Sequence, residues 1–177
     1  MKKITTKVLT IVAACAAMVF ASCAAPSTVN GGDDKNNGNG GSVLFEDAAG
    51  WSVDWEAKRF EASKFANVTN DTVISMEVSK DTDRLVNINN EGHEYDECYT
   101  LIQIMTYDCE TQYGAGTATG ATIENGIQLE KMFQDADPNT KFYTVTYKPT
   151  ADEWTKIKAE GLAIQAHGTM FKKIELK

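Results

Sequence analysis

A chain of 177 residues, 42% hydrophobic and 9% aromatic, is long enough to bury a core and short enough to hold one or two domains. With three prolines and no glycine period it is not collagen-like, and its apolar content excludes disorder throughout. Seventeen Lys and Arg against 25 Asp and Glu give a formal net charge of −8, which lacks the clustered basic footprint of a nucleic-acid binder.

The chain opens with Lys2, Lys3 and Lys7, followed by an uncharged, alanine-rich run from Val8 to Phe20. That is the layout of a secretory signal, and the run is shorter than the ~20 apolar residues a spanning helix needs. Phe20-Ala21-Ser22-Cys23 resembles the bacterial lipobox. The resemblance implies that residues 1–22 are removed and that Cys23 becomes the lipidated first residue. Cys15 would be discarded with the signal. Each buried acyl methylene contributes roughly 0.8 kcal/mol, so several chains tether a protein without spanning the bilayer. Ala24 stands where an aspartate would favour inner-membrane retention, so the expected address is the cell envelope, at the outer membrane or cell surface. The alternative is a plain signal cut at a neighbouring small residue. Loss of the three lysines leaves 14 basic against 25 acidic residues, a formal charge of −11.

Residues 24–42 are dominated by Gly, Asn, Asp, Ser and Thr and offer nothing to set against the entropy of ordering. Asp34, Asn36 and Gly38 lack the further ligands and closing glutamate of a calcium loop. The segment 23–42 therefore reads as a lipidated cysteine and a disordered linker, the 19 residues after Cys23 spanning about 25 Å.

Residues 43–177 read as short strands between polar turns. Val43-Leu44-Phe45 opens the series, and 72–79 places Ile74, Met76 and Val78 in phase. A strand over 85–88 follows the Asp81-Thr-Asp-Arg84 turn, and 99–107 is the strongest run. Over 141–148, Phe142, Thr144 and Thr146 face away from Tyr143, Val145 and Tyr147, a β-branched and aromatic alternation. The period then changes. Thr150-Ala-Asp-Glu153 is a capping box that predicts a helix over 151–160, and Gly161 is placed to stop it. Strands over 162–165 and 169–176 complete an all-β chain of about eight strands and one short helix, an antiparallel β-sandwich.

Phe60-Glu-Ala-Ser-Lys-Phe-Ala-Asn67, Trp154-Thr-Lys-Ile-Lys-Ala-Glu-Gly-Leu-Ala-Ile-Gln-Ala-His-Gly168 and Phe171-Lys-Lys-Ile-Glu-Leu176 resemble β-jelly-roll carbohydrate-binding modules. Those modules are appended to secreted glycanases of gut and rumen bacteria. The resemblance runs in order through most of 43–177, with Ala166 where the pattern has glycine and Tyr113-Gly114 where it has tryptophan. It implies a jelly roll that binds polysaccharide through exposed rings, with hydroxyls met by polar side chains. Trp51 and Trp55, in a loop where the family places such rings, are the first candidates, although one or both could close the base of the core. Trp154, on the core side of the capped helix, reads as packing. Tyr107 and Tyr113 flank a polar turn holding Asp108 and Glu110, after the strongest strand. The resemblance also makes Gln165 and His167 sugar hydrogen-bonding candidates, His167 being as readable as a turn residue.

His93 sits among carboxylates, and with two histidines in all no histidine triad for zinc can form. Cys98 and Cys109 would lie roughly 35 Å apart along one straight strand, so only a bend or hairpin lets them pair. No spacing fixes two carboxylates across a cleft, and nucleophile elbow, phosphate loop and dinucleotide fingerprint are absent. The expectation is a non-catalytic surface lipoprotein, without cofactor or metal, that binds a polysaccharide such as a β-glucan near glycoside hydrolases of the same cell surface. The alternative is an envelope interaction or adhesion lipoprotein with the same fold and no sugar site.

Overall fold

A computed structural model describes residues 42–53, 55–83, 100–130, 132–134 and 137–177. The signal, Cys23, the linker, the strand expected over 85–88, His93 and Cys98 lie outside the described residues. Among the described residues no helix is long and apolar enough to cross a membrane.

Two antiparallel sheets face one another. The first has the order β1-β11-β3-β9-β6, built from Val43–Val53 (β1), Thr169–Leu176 (β11), Ile74–Lys80 (β3), Tyr143–Lys148 (β9) and Thr117–Ala118 (β6). The second has the order β2-β10-β4-β8-β7, from Lys58–Phe60 (β2), Leu162–His167 (β10), Leu101–Thr106 (β4), Ile127–Gln128 (β8) and Thr122–Ile123 (β7). A further two-residue strand, Gln112–Tyr113 (β5), pairs with the end of β4 beyond β8. The domain is an all-β antiparallel sandwich. Its described residues hold eleven strands rather than about eight, because four two-residue strands between 112 and 128 are too short for any alternation to show.

The core follows the pleat. Ile74, Met76 and Val78 from β3, Val145 and Tyr147 from β9, and Ile102 and Ile104 from β4 are almost wholly buried and pack in one cluster with Leu162, Ile164 and Ala166 of β10. In β11, Phe171 and Ile174 are both fully buried although three residues apart, which a period of two forbids. A bulge resolves this. Phe171 pairs with Val78 and Lys173 with Glu77, leaving Lys172 as the extra residue that resets the phase.

Strand β1 makes a larger excursion. Glu46 pairs with Lys173 and Trp51 with Phe171, so four residues, Asp47 to Gly50, stand opposite Lys172 alone. Gly50 has φ +85°, a backbone conformation that favours glycine, and a Cβ there would push against the flexible Met170 side chain. The loop returns Trp51 to the inward side, where its ring stacks on Phe171 at 5.3 Å and meets Phe45 edge-on at 5.8 Å.

Helix α1, Ala151–Glu160, forms where the capping box predicts. The Thr150 hydroxyl accepts from the Glu153 N–H, and Glu153 accepts back from the Thr150 N–H at 2.8 Å. Trp154 and Ile157 are fully buried, and Trp154 packs against Phe65 of the short 3-10 helix Ala62–Phe65. Gly161 stops the helix at φ +87°, its N–H donating to Ile157 O at 2.8 Å; a Cβ there would lie 2.4 Å from Phe60 O.

Candidate functional site

The second sheet turns one face to the core and the other outward. Because Ile102, Ile104, Leu162, Ile164 and Ala166 point inward, alternation sends Leu101, Gln103 and Met105 of β4 and Ala163, Gln165 and His167 of β10 to the outer face. The register aligns them in pairs: Ala163 with Met105, Gln165 with Gln103, His167 with Leu101. Arg59 joins the first row from β2 and Gln112 from β5.

A ladder of amides crosses this face. Gln165 Nε2 donates to Gln103 Oε1 at 2.6 Å, and Gln103 Nε2 donates to Gln112 Oε1 at 3.0 Å and to the Asn125 carbonyl at 3.1 Å. Each bond adds about 1 kcal/mol net, and together they fix the amide planes while leaving the three glutamines partly exposed. Leu101, Met105 and Ala163 form a buried apolar floor beside the ladder.

Trp55 and His167 stand at one end. Their rings stack at 5.1 Å with an interplanar angle of 18°. Trp55 has φ +63° and its N–H donates to Ala166 O at 2.9 Å. A bulky residue in the left-handed region is strained, and such strain concentrates where a side chain must be aimed. His167 ends β10 in one sheet and Thr169 begins β11 in the other, so Gly168 alone, at φ +56°, turns the chain between them. The Thr169 hydroxyl donates to His167 O at 2.9 Å, and the Asp81 N–H donates to Gly168 O at 2.9 Å.

The other candidates lie elsewhere. Trp51 and Trp55 do not share a platform: Trp51 is half-buried between the sheets, under Lys58, whose Nζ sits 4.6 Å from the Trp51 ring and 3.8 Å from that of Phe45. Burial pushes the Lys58 pKa down, and Asp47 partly opposes this. Tyr107 lies past the far end of β4 from His167. Its hydroxyl donates to the Glu61 carboxylate, which pushes the phenol pKa up, and its carbonyl accepts from Arg59 Nε at 2.9 Å. Tyr113 pairs with Ile104 and turns its ring into the core. The stack of Trp55 on His167 and the approach of Gln165 are what the structure brings together from the sequence-derived set. Gln103, Gln112 and Arg59 join them. The phase of Leu-Ile-Gln-Ile-Met-Thr already sets Gln103 opposite the core residues, but its partners lie 9 (Gln112), 22 (Asn125) and 62 (Gln165) residues away in sequence and depend on the register between strands.

Arg59 also approaches Cys109, with Nη2 to Sγ at 3.3 Å; Cys109 lies in the turn after β4, at φ +67°. Among the described residues no group of three or more His, Cys, Asp or Glu is arranged to hold a metal ion. Compared with protein-family models, curated proteins and solved structures, the chain matches none.

Proposed function

We propose that the domain binds a polysaccharide across the outer face of its second sheet, without catalysis of its own, and that a lipid on Cys23 holds the protein at the bacterial cell envelope. The supporting observation is the combination on one face: the partly exposed Trp55 ring, stacked on the buried His167, and a ladder of partly exposed amides. Sugars present alternating C–H surfaces and hydroxyls. The Trp55 ring suits the former and the glutamines the latter. Amides locked to one another keep further acceptor lone pairs and N–H donors, so a ligand need not first order them.

Affinity electrophoresis of the intact chain, carrying Cys23→Ser to keep it soluble, in gels containing β-glucans and other plant-type polysaccharides tests this. If about 60 Å² of the Trp55 ring contacts the ligand, at roughly 25 cal/mol per Å² its loss is worth about 1.5 kcal/mol, so Trp55→Ala weakens retention roughly tenfold. Gln103→Ala breaks the middle of the ladder and weakens it by a similar factor. Trp51→Ala lowers stability and leaves retention of the folded protein intact. Retention by no polysaccharide, or retention that ignores both Trp55→Ala and Gln103→Ala, overturns the reading.

A further inference from the structure

The amide ladder on the outer face of the second sheet has a polarity, set by which of its atoms are already bonded. A glutamine offers two N–H donors and two lone pairs on its oxygen. Gln103 uses both N–H groups, one on Gln112 Oε1 and one on the Asn125 carbonyl, and its Oε1 accepts from Gln165 Nε2. What it keeps is a single lone pair. Gln165 keeps one N–H and both lone pairs, and Gln112 keeps both N–H groups and one lone pair. The centre of the ladder therefore only accepts, while its two ends donate and accept.

A hydroxyl suits this pattern, since it can donate to Gln103 Oε1 and still accept from an N–H at either end. A carboxylate or sulfate oxygen carries no hydrogen, so at Gln103 it would set lone pair against lone pair. Nor does the face supply a cation to offset it. Among the described strand residues of this sheet, alternation brings one Lys, Arg, Asp or Glu to the outer face, Arg59. Its Nε donates to Tyr107 O at 2.9 Å and its Nη2 to Cys109 Sγ at 3.3 Å, which holds the guanidinium toward the turn after β4 and away from the Trp55–His167 stack. An anionic group laid on this face loses water without gaining a counter-charge, and the chain's formal charge of −8 opposes a polyanion at longer range.

We infer that the ladder makes the face selective for an uncharged glycan over polyuronides and sulfated glycans, with a sugar hydroxyl donating to Gln103 Oε1 and flanking hydroxyls bonded to Gln165 and Gln112. The inference deepens the polysaccharide reading and rests on it. Gln103 is then the residue that sets specificity, through its one remaining lone pair. The three amides stand on three strands spaced about 4.8 Å, a width of about 10 Å, which exceeds one pyranose ring. A chain with a carboxylate on every unit has no register that keeps its charge off such a face.

Isothermal titration of the intact Cys23→Ser chain with cello-, laminari- and manno-oligosaccharides of equal length tests this, each beside the same chain oxidised at its primary alcohols to carboxylates. Titrations are run at about 0.15 M and about 1 M NaCl; at the higher salt the Debye length falls to about 3 Å, so repulsion across the domain fades while the mismatch at the ladder does not. At least one neutral oligosaccharide binds, its oxidised form binds at least tenfold more weakly, and the gap persists at the higher salt. Gln103→Ala weakens the neutral ligand about tenfold and the oxidised one less than threefold, which narrows the gap. Trp55→Ala weakens both by the same factor and leaves the gap intact, because the ring meets C–H surfaces that both chains carry. An oxidised chain that binds as well as its parent, a gap that vanishes at the higher salt, or a gap that Gln103→Ala leaves intact would each overturn the selectivity, while Trp55-dependent binding of the neutral chain would still support the polysaccharide reading. Binding of no oligosaccharide, or binding indifferent to Trp55→Ala, would remove that reading and this inference with it.

Discussion

Glu153 does more than close a helix end. Five donors converge on its buried carboxylate, three of them outside the helix, so one side chain caps α1, clasps the 114–115 loop and holds Tyr147, whose phenol pKa rises through burial and this bond. Glu153→Gln keeps the shape but turns an amide N–H₂ toward N–H donors. Urea denaturation should show a loss of about 2–4 kcal/mol, against about 1 kcal/mol for Thr150→Ala, which removes only the cap. Asp137 yields a pH prediction. Hydrogen bonds from Lys141, the Gln134 N–H and the Tyr143 hydroxyl pull its carboxyl down to about 2. A carboxyl depressed in the folded state stabilises above its unfolded value, near 4, and loses that contribution as pH falls toward 2. Asp137→Asn should lower the melting temperature at pH 7, and the gap from the parent protein should close between pH 4 and pH 2. The capping box was readable from four residues, Thr150 to Glu153. That Glu153 also receives Gly114, Ala115 and Tyr147 was not, since nothing local ties residue 153 to residue 114.

Elements were legible where they carry their own period. Strands β3, β4, β9, β10 and β11 and helix α1 each alternate or cap in a way that fixes type and approximate extent. What escaped was the bulge geometry: the Asp47–Gly50 excursion and the extra Lys172 both exist to bring aromatic and aliphatic residues back into phase, and only the partner strand reveals the need. The excursion also explains why Trp51 and Trp55, four residues apart, part company, one capping the core beside Phe171 and the other stacking on His167. Helix and β2 meet at Gly161, where left-handed backbone and the Phe60 carbonyl both exclude a side chain. Gly161→Ala should destabilise the domain by more than 2 kcal/mol. An exposed control such as Ala159→Gly should cost about 1 kcal/mol, the ordinary helix-propensity difference.

For the molecule as a whole, the proposed lipid on Cys23 would hold the acidic sandwich to the membrane through residues 24–42. Cys23→Ser should move the protein from the detergent phase to the aqueous phase or leave an unprocessed precursor; a cleaved protein that still partitions into detergent would exclude the lipobox. The sandwich could be read from alternation, whereas the candidate binding face could not, because it is assembled by register from β10, β4 and β5. The most direct test of that face is affinity electrophoresis of parent, Trp55→Ala and Gln103→Ala proteins side by side in β-glucan gels, with folding checked by circular dichroism. Retention of the parent protein, reduced roughly tenfold in both folded variants, is the expected result. Folded variants that migrate like the parent in every polysaccharide would contradict it.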